Sequence, residues 1–199
     1  MSEHTEGVTY EERVRKILQQ KGVSTKSNFS YKKWKPDIVG EVQGKAIILA
    51  DAKTSQVGIP DVLSLASTAF SAEQPTGTIM PVMISKKPVT EGVSEVANAN
   101  NVVIITGDVE SELEPKLAFL VEVSLIDGTI RKMGRFPPKM PLSQAVKELV
   151  SKKLLDPGQG ERILALWQKR NKLAHQGGEE GLDPQAVEEA KTILDELPK

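Results

Sequence analysis

The sequence predicts an α/β fold, a mixed β-sheet sandwiched by helices, followed by a small all-α segment. Three observations predict it. Tyr10, Val14, Ile17 and Leu18 recur at helical spacing, and Gly22 closes the run. Two strand-like runs flank Gln43-Gly44, as in a hairpin. Beyond them, helical and strand patterns alternate, which is the order of a sheet covered by helices.

Each element has its own signal. The first helix is expected from about Thr9 to Lys21, and a strand follows near Val23 to Ser30. The hairpin arms run from Pro36 to Val42 and from Lys45 to Thr54. Ile59 to Ser71 reads as a helix with Pro60 in its first turn. Thr78 to Ser85 is an apolar strand in which Pro81 points to an edge or a bulge. Val89 to Ala99 reads as a helix and Asn101 to Thr106 as a short buried strand. Leu117 to Leu125 and Thr129 to Met133 are expected to form a second hairpin around Asp127-Gly128. The three prolines of Arg135 to Pro141 read as a stiff linker. Helices are then expected at Leu142 to Leu155, Gln159 to His175, and Pro184 to Leu197 with Asp183 as N-cap. The organisation expected is a domain at 1–134, a linker at 135–141 and a helical segment at 142–199.

Composition narrows the function. The chain has 199 residues, 39% of them hydrophobic and 27% charged, and no apolar run approaches a membrane span. Without cysteine, disulfides, thiol catalysis and cysteine-bound zinc are excluded, and a cytoplasmic location is expected. The polar, acidic N-terminus is unlike a secretory signal. Net charge is only -1, but its distribution is uneven. From Arg13 to Lys35 there are eight basic residues and no acid, with Tyr31 and Trp34 interleaved. Lys32, Lys33, Trp34 and Lys35 are therefore the candidate contacts to a nucleic-acid backbone.

Pro36-Asp37 and Asp51-Ala52-Lys53 lie on opposite arms of the hairpin. Carboxylates hold a hard divalent cation through oxygen, and a lysine steadies an attacking water or a phosphate. Register decides whether they meet. A two-residue turn at Gln43-Gly44 sets Asp51 on the face opposite Asp37. A three-residue loop, Gln43 to Lys45, places Asp37 directly across from Asp51. In that register one face carries Ile38, Gly40, Val42, Ala46, Ile48, Ala50 and Ala52, all small or apolar. The other carries Asp37, Asp51 and Lys53 at one end. A one-residue slip would mix the two sets, so the three-residue loop is favoured.

This arrangement resembles the PD-(D/E)xK nucleases, the superfamily of restriction endonucleases and Holliday-junction resolvases. The first helix, with Tyr10-Glu11 ahead of Val14, Ile17-Leu18 and Gly22, is similar to the opening helix of Mrr-type members. The likeness covers roughly Val8 to Asp108, with Asp51 where many such members carry Glu or Gln. It implies a restriction-endonuclease-like fold and a Mg²⁺- or Mn²⁺-dependent DNA endonuclease serving restriction and defence or repair. Asp37, Asp51 and Glu11 would be the metal ligands, Glu11 in a supporting role (with Glu12 as runner-up), and Lys53 would act on the water. A homodimer is expected, since such an enzyme cuts both strands.

In the tail, Arg170-Asn171 and His175 resemble the R-N-x-x-x-H signature of HEPN domains. Some of those domains are metal-independent ribonucleases, so RNA cleavage by Arg170, Asn171 and His175 is the alternative reading. A non-catalytic nucleic-acid-binding or interaction protein is the third.

Overall fold

The computed structural model describes residues 3–26, 35–71, 78–137, 140–175 and 182–198. The chain is α/β, with five strands in the order β1-β2-β3-β4-β5. Strands β1 (Val23–Lys26), β2 (Ile38–Val42) and β3 (Ala46–Lys53) pair antiparallel. Strands β4 (Thr78–Ser85) and β5 (Val103–Thr106) continue from β3 in parallel. The sheet is therefore mixed, as expected from the alternation of elements.

Both faces are covered. Helix α1 (Glu3–Gln20) lays Tyr10, Val14, Ile17 and Leu18 against Ile38, Ile48, Val82 and Ile105. On the opposite face, α2 (Ile59–Ser71) and α3 (Glu91–Ala99) bury Val62, Leu65, Val93 and Ala97 with Leu49, Met83 and Ile104. The alternation of β3 between these two cores is the period of a strand buried on both sides.

The hairpin has the three-residue loop that the face analysis favours. Val42 pairs with Ala46, and Ile38 with Ala50. Gln43 and Gly44 both take left-handed φ, 49° and 67°, and Lys45 N–H closes on the Val42 carbonyl at 2.9 Å. Lys45 is the added residue.

Pro81 does not lie on an edge strand, because β4 is flanked by β3 and β5. Its missing donor is tolerated because β5 pairs only from Val82 to Ser85, so at Pro81 only β3 is alongside.

The second hairpin expected around Asp127-Gly128 is absent. Leu117 to Met133 belong to one long helix, α4 (Glu110–Gly134). The physical reason is burial around most of its circumference. Leu113, Leu117, Leu120, Val121 and Leu125 face the sheet. Phe119, Val123, Ile126 and Ile130 face the opposite way, into a second core. Such a helix has no wide polar stripe, so its sequence loses the helical period. Asp127 and Gly128 look like a turn but are interior. Asp127 accepts from the Thr78 hydroxyl and from Arg131 Nε at 3.1 Å. Gly128 lets the helix approach the hairpin loop, since a Cβ there would sit 2.4 Å from the Lys45 carbonyl oxygen.

Beyond α4 the proline segment is tied down. Phe136 is buried, and Arg131 donates to the carbonyls of Pro137 and Met140, both at 2.9 Å. Helices α5 (Leu142–Ser151), α6 (Pro157–His175) and α7 (Pro184–Glu196) then pack Leu149, Ile163, Leu166, Ala190 and Ile193 on the outer side of α4. Asp183 caps α7 by accepting the Gln185 N–H at 3.0 Å, as its sequence position indicates.

Gly128→Ala should destabilise the protein by about 1–3 kcal/mol, because the added methyl must displace Lys45 or the helix. Urea unfolding of the two proteins measures this. Equal midpoints would show that the contact is relaxed at no cost.

Candidate active site at the hairpin end

The three-residue loop carries its register to the far end of the hairpin. Asp37 N–H donates to Asp51 Oδ1 at 3.1 Å. In return, Asp37 Oδ2 accepts the Ala52 N–H at 2.9 Å. Each carboxylate thus holds the main chain of the opposite arm, and the two acids are locked side by side. Lys53 follows two residues on, half-buried at the carboxyl end of β3. Asp51 and Lys53 lie on the same strand face as Leu49, whose core is built with α2 and α3.

The electrostatics show how near the groups are. Burial raises the Asp51 pKa, and Asp37 raises it further by repulsion. The Asp37 N–H and Lys53 pull it back only in part. Glu11, on α1, is also raised by burial and then by Asp37, with a smaller push from Asp51. Glu11 is therefore part of the same electrostatic cluster, yet its carboxylate is ion-paired to Arg15 one turn along. Glu12 is exposed. Among the described residues no three Asp, Glu or His side chains converge closely enough to hold a metal ion together. Asp37 and Asp51 are the bonded pair, and Glu11 stands beside them rather than completing a cage.

Two residues join this neighbourhood that the sequence did not mark. Asp61, in the first turn of α2, adds to the repulsion on Asp51 while its carboxylate caps the Gly58 N–H at 2.9 Å. Arg15 holds Glu11, and its buried Nε has no hydrogen-bond partner. The spacing of Glu11 and Arg15 is a helical ion-pair signal. Asp61 had no local signal beyond a helix start.

Of the nucleic-acid candidates, Lys35 is exposed two residues before Asp37. Lys32, Lys33 and Trp34 lie outside the described residues.

The tail residues are engaged differently. Arg170 is only 3% exposed. Its guanidinium donates to Asn101 Oδ1 and Asn171 Oδ1, both at 2.9 Å, and to the Asn101 carbonyl at 3.3 Å. It also stacks over Trp167, 4.7 Å from the ring centre. Burial pushes its pKa down to about 10. Arg170 thus fastens α6 to the turn before β5, with Asn171 holding its guanidinium. The His175 side chain lies outside the described residues.

Asp51 binds its proton more tightly in the folded than in the unfolded state. Its ionisation therefore costs stability as pH rises above the unfolded carboxylate range, roughly pH 4. In metal-free buffer Asp51→Asn, which keeps an oxygen for the Asp37 N–H, should be more stable than wild type at pH 7. The gain should vanish below roughly pH 4. Melting curves across pH test this, and a gain that persists at low pH would rule out ionisation as the cause. Arg170→Ala should cost about 2 kcal/mol or more, since it leaves Asn101 unpaired and opens a cavity beside Trp167. Chemical denaturation measures it.

Comparison with protein-family models, with curated proteins and with solved structures finds no match to this chain.

Proposed function

We propose that the chain is a divalent-metal-dependent DNA endonuclease with a restriction-endonuclease-like fold. The observation that supports it most is the bonding across the hairpin, in which Asp37 N–H donates to the Asp51 carboxylate and the Asp37 carboxylate accepts the Ala52 N–H, with Lys53 two residues on from Asp51. The surrounding order also supports it: a helix, three antiparallel strands, a helix, then a parallel strand. This is the order the PD-(D/E)xK resemblance calls for.

The donor set fits a hard cation. Two adjacent carboxylates raise the cost of each other's charge, and a cation between them removes it. Mg²⁺ is commonly held by one or two carboxylates plus water and phosphate oxygens, so a third protein ligand is not required. Asp37 and Asp51 would hold Mg²⁺ or Mn²⁺, which when bound supplies positive charge to a phosphate and acidifies a water. Lys53 orients the attacking water and offsets phosphate charge from the same strand face. Glu11, whose pKa is raised by burial and by Asp37, is suited to accept a proton near the hairpin. Arg15 fixes where that carboxylate points. Lys35, exposed two residues before Asp37, offers a cation to the DNA backbone there. A homodimer would let two such sites act on two strands.

The ribonuclease reading is less well supported. Arg170 is buried and its donors are directed at Asn101 and Asn171, so contact with an RNA phosphate would require α6 to detach.

Purified protein with Mg²⁺ or Mn²⁺ should cut DNA, EDTA should stop it, and Lys53→Ala should slow it by about 100-fold or more. Mn²⁺ should also raise the melting temperature of wild type but not of Asp51→Ala. DNA left intact under both metals, or Lys53→Ala cutting at the wild-type rate, would sink the proposal. RNA cleavage in EDTA that His175→Ala abolishes would favour the ribonuclease instead.

A further inference from the structure

A cleft of about 500 Å³ opens at the carboxyl ends of β4 and β5. Lys86, on its wall, donates its main-chain N–H to the Lys53 carbonyl at 2.9 Å, so the cleft opens one strand away from β3. Its charges are matched within the wall. Lys86 pairs with Asp108 at 3.3 Å. Lys116, mostly buried, donates to the Thr106 carbonyl at 2.8 Å, and Glu112 is its electrostatic neighbour. Glu112 in turn accepts the Asp108 N–H at 3.0 Å. Two cations thus face two carboxylates, and a phosphate entering here would meet both acids. The remaining walls include Pro88, Pro115 and Leu182, rigid or apolar surfaces suited to the faces of a ring. The Thr106 and Ser111 hydroxyls on the same wall suit the polar edge of that ring.

We propose that this cleft is a nucleobase subsite that takes one unpaired base of a DNA strand whose phosphodiester lies at Asp37, Asp51 and Lys53. The proposal rests on the nuclease reading and deepens it by naming the substrate class. A base must leave its stack to enter such a cleft, and that costs least where it is already unpaired. The enzyme would therefore favour DNA with an unpaired base over fully paired duplex. The tail gains a role as well, since Leu182, just before α7, lines the cleft wall.

The test has two arms. In the first, backbone amide shifts are followed while free deoxynucleosides, and separately inorganic phosphate, are added to the full chain without metal. Thr106, Gly107 and Ser111 amides should move with nucleosides and not with phosphate. Leu182→Trp, which fills the cleft, should abolish the response, and Ser111→Trp serves if that variant folds poorly. In the second, cleavage is compared on duplexes with and without a single unpaired base. Wild type should prefer the first several-fold, and the filled variant should lose the preference while keeping its rate on paired duplex. Nucleosides that move no cleft amide, phosphate that moves the same ones, or a preference that survives filling would each overturn the inference. Nucleoside binding without any DNA cleavage would still support a base-binding cleft while sinking the nuclease reading.

Discussion

The register of one hairpin is the constraint on which the rest of the molecule depends. Because Lys45 is a third loop residue, Ile38, Val42, Ala46, Ile48 and Ala50 all turn to the α1 side, and Leu49 turns to α2 and α3. A slip by one position would drive acidic side chains into an apolar core, at a cost of several kcal/mol for each unpaired carboxylate. The same register brings Asp37 and Asp51 together at the other end. Core packing and the pairing of the two acids therefore rest on the same loop, and the Lys45 carbonyl is also where β4 and Gly128 of α4 come to meet it.

The neighbourhood of Asp51 carries a cost that the fold does not relieve by itself. Asp37, Glu11 and Asp61 all contribute negative charge, and Lys53 offsets only part of it. The main-chain N–H groups fix the carboxylates in place without neutralising them. The geometry of the two acids is set by the backbone, and their charge is only partly balanced by Lys53.

How much of this the sequence reveals depends on whether a signal is local. The Ile59–Ser71 helix, the Asp183 cap and the Asp37–Asp51 pairing were readable because each rests on neighbours in sequence or on the period of one strand pair. Helix α4 was not, because contact with two cores removes the polar stripe that periodicity relies on. Asp61 was invisible for a related reason: only the packing of α2 on β3 brings it near Asp51. The Arg170 motif has a structural use as well. Its spacing suits chemistry at an RNA phosphate, but burial against Asn101 and Trp167 gives its donors an interior use.

Helix α4 has one further consequence. Its inner side completes the core over the sheet, and its outer side forms the floor for α5, α6 and α7. A chain cut in the proline segment would leave Phe119, Val123, Ile126 and Ile130 facing water, a patch that invites aggregation. The helical tail is thus not a detachable accessory. Sheet and tail share a spine, so they should melt in one transition, and a recombination event that exchanges the tail must supply a matching surface for α4.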